Sequence, residues 1–225
     1  MKLLVFDTCF NKTYIVLRKD NEVIAHKTIE SNEENYHSAY LIPEIINILK
    51  DKKLLIKDID AIGVNIGPGS FTGIRAGITI ARVFAQQANI KLIGIPSAEI
   101  LAKINKSETK TLVITDARKN KVYISLYNEK GDAVINPKLE EKEKIFEYIK
   151  KPICIITDKS IGEYLKENNI DSILYEENDN NFGLYLSELC YKKLKDNNSD
   201  FNWAKVKPLY IQQPSITKPK ESINV

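Results

Sequence analysis

Two acidic residues and one glycine-rich loop are the parts of this sequence whose types and spacing could do chemistry. Asp7 and Asp116 each close an apolar run, at residues 2–6 and 111–115, where a carboxylate can hold a Mg–phosphate complex between two lobes. A carboxylate in that place can equally cap the turn that follows. The loop NIGPGSFTGIR, residues 65–75, packs three glycines and a proline into seven residues and then becomes helical in pattern. A strand, a glycine turn and a helix N-terminus together make an anion site, because backbone N–H groups and the helix dipole converge there. The side chains do not follow the known phosphate cradles. A P-loop needs Lys and Ser or Thr directly after its last glycine, and here Gly73 is followed by Ile74 and Arg75. A dinucleotide fingerprint needs G-x-G-x-x-G, and Gly67, Gly69 and Gly73 are spaced one residue too wide. The loop therefore reads first as a turn that aims a helix. Its anion-binding alternative would use Asp7, Thr8, Gly67, Gly69, Ser70, Arg75 and Asp116.

Other catalytic constellations are missing. His26 sits in a strand pattern as a surface residue, and His37 has Leu41 at i+4, so no two-imidazole zinc face forms. There is no Gly-x-Ser-x-Gly nucleophile elbow. Cys9, Cys154 and Cys190 are odd in number and far apart, which supports neither a disulfide framework nor a metal site, and Cys9 lacks a paired histidine. No metal or cofactor of its own is expected. The net charge of +3 among 225 residues, 28% of them charged, is too mild to predict autonomous nucleic-acid binding. No apolar run reaches the length of a membrane span and the N-terminus lacks a signal-peptide core, so a reducing cytoplasm is the expected compartment.

The elements that must position these residues read as a unit occurring twice. Strands at 2–6, 13–18 and 22–29 precede a helix built on Leu41, Ile45, Ile46, Ile48 and Leu49, with Pro43 kinking it or marking its first turn. A strand at 61–66, a helix at 73–87 capped by Ser70 or Thr72, a strand at 91–95 and a short helix at 97–103 with Ser97 as N-cap follow. The segment LLVFDTCFNKTYIVL can then be laid on TLVITDARKNKVYISL, matching Asp7 with Asp116, Tyr14 with Tyr123 and Leu17 with Leu126. Three strands again lead to a helix at 140–151, a strand at 152–157, a helix at 160–168, a strand at 172–175, a loop at 176–181 and a helix at 182–194. A duplicated βββαβαβα unit implies an α/β fold of two lobes with mixed sheets. The boundaries expected are an N-terminal lobe at 1–105, a C-terminal lobe at 106–198 and a segment at 199–225, anchored at 209–211, returning to the first lobe before a loose tail. The helix at 73–87 carries Gly73, Gly77, Ala81 and Ala85 at spacing four, a stripe that lets another backbone approach closely.

Six segments carry a resemblance: FDTC at 6–9, YHSAYLIPEI at 36–45, the stretch from Ile56 to Ala85, IPSAEILA at 95–102, DARKNKVYISLY at 116–127 and PLYIQ at 208–212. In order and spacing they resemble the TsaB (YeaZ-type) family of accessory subunits in bacterial synthesis of N6-threonylcarbamoyladenosine in tRNA. The G-P-G-S-F-T-G-[IL]-R segment is the most specific, and the resemblance runs over nearly the whole chain. It implies a fold of the actin/Hsp70/sugar-kinase (ASKHA) type and a non-catalytic role supporting TsaD, the transferase subunit. His37 matches the first histidine of that partner's H-x-x-x-H metal motif, and Leu41 replaces the second. The resemblance also implies docking on TsaD through the first two helices, with Leu41, Ile45, Ile74, Gly77, Ile78, Ala81, Arg82 and Ala85 as interface residues. It implies homodimers through the same helices when TsaD is absent, recruitment of the ATPase TsaE, tRNA contact only within the complex, and ATP or ADP only in that complex. Two positions depart from the family pattern: Cys9 stands where a serine is usual, and Gln212 stands where an arginine is usual. The alternative function is a nucleotide-binding ATPase or kinase using the interlobe cleft. A third, a metallopeptidase, would need zinc.

Overall fold

The computed structural model describes residues 1–30, 36–177, 181–196 and 200–212. Strands β1 (Lys2–Asp7), β2 (Lys12–Lys19) and β3 (Glu22–Glu30) form an antiparallel meander, and β4 (Ala61–Gly67) and β5 (Lys91–Pro96) extend it parallel to β1. The resulting order is β3-β2-β1-β4-β5. The second sheet repeats it: β6 (Lys110–Asp116), β7 (Lys121–Tyr127) and β8 (Ala133–Glu141) meander, β9 (Ile153–Thr157) and β10 (Ile173–Leu174) add in parallel, and the order is β10-β9-β6-β7-β8. The duplication read from the sequence is therefore present in the topology.

The register refines it. Asp7 pairs with Tyr14, seven positions on, whereas Asp116 pairs with Val122, six on. The second hairpin closes one residue earlier, through Arg118, Lys119 and Asn120, all in the left-handed backbone region. The counterpart of buried Tyr14 is thus Val122 and not Tyr123, which is only half-buried.

Helices α1 (Tyr36–Asp51) and α2 (Phe71–Ala88) cover one face of the first sheet. Alternation along β1 explains why both faces are apolar: Leu4 and Phe6 enter the core shared with α1 and α2, while Leu3 and Val5 enter the core on the other face. That other face is covered by α3 (Ser97–Ala102) and by α5 (Phe182–Lys195). Helix α5 falls within the sequence segment assigned to the C-terminal lobe, yet it lies on β1, β2, β4 and β5. The approach is close: a Cβ on Gly183 would sit 2.7 Å from the Tyr14 Cβ. Helix α4 (Lys159–Glu167) packs on the second sheet, where Ile161 and Leu165 join Leu112, Ile114 and Ile155.

Three local expectations change. The helix expected at 140–151 is absent, because β8 stays paired to β7 out to Glu141, opposite Lys121, and only a 3-10 turn (Lys142–Tyr148) follows. Tyr148 fastens that turn by donating to Glu140 while accepting from Lys138. Ser97 is not an N-cap: Pro96 holds that place, and the Ser97 hydroxyl donates to Asn65 instead. Pro43 falls inside α1 and not in its first turn, because the helix begins back at Tyr36. Residues 178–180 of the expected loop and the tail from Pro214 lie outside the described residues.

Candidate functional site

The glycine loop is built by close approach of the chain to itself. Gly67 ends β4 at φ +95°, a conformation glycine adopts without strain. Ser70 caps α2 by accepting from Gly73 N–H, and its own N–H donates to the Cys9 carbonyl at 2.9 Å. A Cβ on Gly73 would lie 1.8 Å from the Thr8 carbonyl oxygen, so only glycine permits this crossing. The Thr8 hydroxyl then donates to the Gly73 carbonyl at 2.6 Å, and both residues are buried. The loop N–H groups of Gly67, Ser70, Gly73 and Ile74 all have acceptors within the chain. This geometry is that of a turn aiming a helix.

Asp7 does not line the cleft between the lobes. It is fully buried, accepts from Cys9 N–H at 2.7 Å and from the Asn65 amide at 2.9 Å, and burial pushes its carboxyl up to about 6. Asn65 in turn accepts from Gly67 N–H and from the Ser97 hydroxyl, each at 2.9 Å. One buried network thus joins β1, β4, the glycine loop and α3. Burial, with Asp7 beside it, also pushes the Cys9 thiol up, which leaves it no thiolate character. Asp116, in contrast, is exposed and lines the cleft. Even so, it makes the same contact as Asp7, accepting the N–H two residues on, from Arg118, at 3.0 Å. Both carboxylates cap turns at matched places in the two lobes.

The interlobe cleft has a volume of about 920 Å³ and is lined from the first lobe by the glycine loop and from the second by Asp116, Arg118, Asp158, Glu163 and Glu176. Three of its carboxylates, Asp116, Asp158 and Glu176, accept from the protein's own backbone. Asp158 accepts from Asp116 N–H and Ile161 N–H, and Glu176 accepts from Lys159 N–H. The N-terminus of α4, where an anion would meet backbone donors, therefore already holds two carboxylates. Among the described residues no three His, Cys, Asp or Glu side chains converge as metal ligands. His26 is exposed in β3, and the His37 side chain lies outside those described.

The expected interface residues divide by their direction on the helices. Leu41, Ile45, Ile74, Gly77, Ile78, Ala81 and Ala85 are buried inside the first lobe, and Gly77 faces Thr8 and Val64 of its own chain. The small-residue stripe thus serves the lobe's own packing, which corrects the expectation that it receives a partner. Arg82 is half-exposed. The apolar side chains that do point outward are others on the same helices: Tyr40, Ile42, Ile46 (42% exposed) and, on α2, Phe71 and Val83 (49%). Beside them runs a strap, residues 200–212, whose Phe201 carbonyl accepts from Leu92 N–H and whose Leu209 N–H donates to Ile66, covering the edge of β5. Tyr210 of the strap accepts from Arg75 Nε at 2.9 Å, and the Arg75 guanidinium stacks 3.8 Å over Phe71. Asn65, Asp158 and Trp203 were not singled out from the sequence, because their partners are distant along the chain.

Two lobes of one repeated α/β unit, facing across a cleft, define a protein of the actin/Hsp70/sugar-kinase fold type. Structures agree: the YeaZ protein of Pseudomonas aeruginosa superposes with a TM-score of 0.72 at 16% identity, over 93% of this chain and all of that one. A second P. aeruginosa structure, described as similar to peptidase YeaZ, gives 0.77 at 17% identity, covering 94% of this chain and 99% of that one. Residues 22–170 match the family described as TsaD: tRNA N6-adenosine threonylcarbamoyltransferase, and the chain belongs to that family. Within it the chain is of the TsaB/YeaZ type. It is 30% identical to the tRNA threonylcarbamoyladenosine biosynthesis protein TsaB of Escherichia coli over 62% of this chain and 64% of that protein. It is 35% identical to TsaB of Bacillus subtilis over 58% of this chain and 57% of that protein. The chain thus matches less than two-thirds of the length of these relatives. No helix among the described residues is long and apolar enough to cross a membrane.

Proposed function

We propose that this chain is a non-catalytic scaffold in the synthesis of N6-threonylcarbamoyladenosine in tRNA, docking on a TsaD-type transferase through the outward faces of α1 and α2. The observation that carries this reading is the set of exposed apolar side chains on those helices, Ile42, Ile46, Phe71 and Val83, continued by Tyr210 of the strap. Helices of 16 and 18 residues run about 24 and 27 Å at 1.5 Å per residue, long enough for the roughly 800 Å² per partner that a stable interface buries. The family and the names of the TsaB relatives supply the pathway. Threonylcarbamoyl transfer, any ATP or ADP, the tRNA and a TsaE-type ATPase belong to the assembled complex, and the scaffold contributes by holding the transferase in position.

The engagement of Asp158 and Glu176, at the N-terminus of α4, with backbone N–H groups supports the absence of catalysis by this chain alone. The cleft's volume and the exposed Asp116 and Arg118 favour the second reading, an ATPase in the cleft. Size-exclusion chromatography of the chain with its own TsaD-type partner, set beside ATP titration of the isolated chain, separates the two. A stable complex that is lost in Val83→Arg, with no saturable ATP binding, is the expected result. ATP binding by the isolated chain without complex formation would replace the scaffold with the enzyme.

A further inference from the structure

The outward side of α2 carries two arginines and no acidic residue anywhere in the helix. Arg75 and Arg82 are seven residues apart, so they share one side of the helix about 10.5 Å apart along its axis. Aromatic rings hold both. Arg75 stacks on Phe71 and gives its Nε–H to Tyr210, and the Arg82 guanidinium lies 5.8 Å from the Trp203 ring centre. Their terminal nitrogens have no hydrogen-bond acceptor among the described residues, although a guanidinium is a planar fork suited to paired oxygen acceptors. The neighbouring carboxylates are engaged: Glu44 with Lys27, Asp200 with Lys205, and Asp58 with the Leu55 N–H.

We infer that Arg75 and Arg82 form a clamp for two carboxylates presented about two turns apart on a partner helix, with Val83, Ile42 and Ile46 supplying the apolar contact beside it. This rests on the docking reading above and adds what the partner must carry. Helix α2 of a second copy offers the clamp no carboxylate, so an α2-on-α2 twofold contact would leave it unfilled. The apolar neighbours favour a protein surface over a phosphodiester backbone, which would be met by cations without exposed Ile and Val. The strap thereby acquires a function: its Tyr210 and Trp203 preset the two guanidiniums, so little side-chain freedom is lost on docking.

The test is the dissociation constant of the complex with the chain's own TsaD-type partner, measured for wild type, Arg82→Glu, Arg75→Glu and the double variant at low and high salt. Melting temperature and the fluorescence of Trp203, the single tryptophan of the chain, check that each variant keeps its fold and strap. The clamp requires tenfold to hundredfold weakening for each reversal, only partial rescue by Arg82→Lys, and a salt dependence that flattens in the double variant. If wild type binds and the folded reversals bind within twofold of it, the clamp is refuted and the docking face stands. If wild type does not bind, the docking reading falls and the clamp with it. Unchanged partner binding with loss of tRNA from the assembled complex would overturn the carboxylate assignment in favour of phosphates.

Discussion

The buried Asp7 carboxyl makes folding stability depend on pH in a direction opposite to that of an ordinary surface carboxylate. It is fully enclosed, and burial raises it from 3.8 to about 6 against two donated hydrogen bonds. In the unfolded chain it titrates near 3.8, so between about pH 4 and 6 the folded protein holds a proton that the unfolded chain has released. Raising the pH through that window therefore weakens folding. At about 1.36 kcal/mol per unit the loss is on the order of 3 kcal/mol, with the contribution fully present below about pH 4 and gone above about pH 6. Asp7→Asn removes the titration, while also setting an amide against the Asn65 amide at a constant cost. Urea unfolding of both proteins at steps from about pH 4 to 7 isolates the effect, because every other carboxylate cancels in the difference. The wild type should lose about 3 kcal/mol relative to Asp7→Asn across the window. Parallel profiles would refute the burial argument and show that the Cys9 and Asn65 donors compensate the charge fully.

The crossing at Gly73 gives a second expectation: Gly73→Ala drives a methyl to 1.8 Å from a backbone oxygen, so thermal melting should show a loss above about 3 kcal/mol, beyond usual overpacking. Ala81 is fully buried, and Ala81→Arg should fail to fold as judged by circular dichroism, whereas Val83→Arg, on an exposed site, should keep its melting temperature. The same Val83→Arg substitution should weaken partner binding by about 30-fold or more in titration calorimetry, the cost of losing a central apolar anchor. In the second lobe, Glu140 is held at about 2 chiefly by the Tyr148 hydroxyl, so Tyr148→Phe should move its NMR titration midpoint up toward 4.5.

Much of the fold was legible because apolar periodicity is a local property. Strands β1 and β2, helices α1, α2, α4 and α5, and the repeat of the two meanders follow from side-chain alternation and helical spacing within short windows. Where a short window held too few apolar positions, tertiary pairing prevailed: at 142–148 only Ile145 is buried, and the β7 ladder pulled residues up to Glu141 into a strand. The site was legible at the level of elements. The glycine loop as a turn comes from composition and motif, and the turn-capping alternative for Asp7 and Asp116 matches the contacts both residues make.

Direction was not legible. Periodicity shows that α2 has an apolar side and a small-residue stripe, yet it does not say which side meets its own sheet, because both a core and a partner offer an apolar surface. That was decided by Thr8, whose carbonyl and hydroxyl sit against Gly73 and Gly77 from 65 and 69 residues away and turn the stripe inward. It was decided equally by the strap, which brings Tyr210 and Trp203 to Arg75 and Arg82 from more than a hundred residues downstream. The amino-acid order by itself determined the repeated unit, the elements and the turn chemistry, since each depends on neighbours within a few residues. The burial of Asp7, the inward stripe and the paired arginines depend on contacts between distant segments, and only the folded chain brings those together.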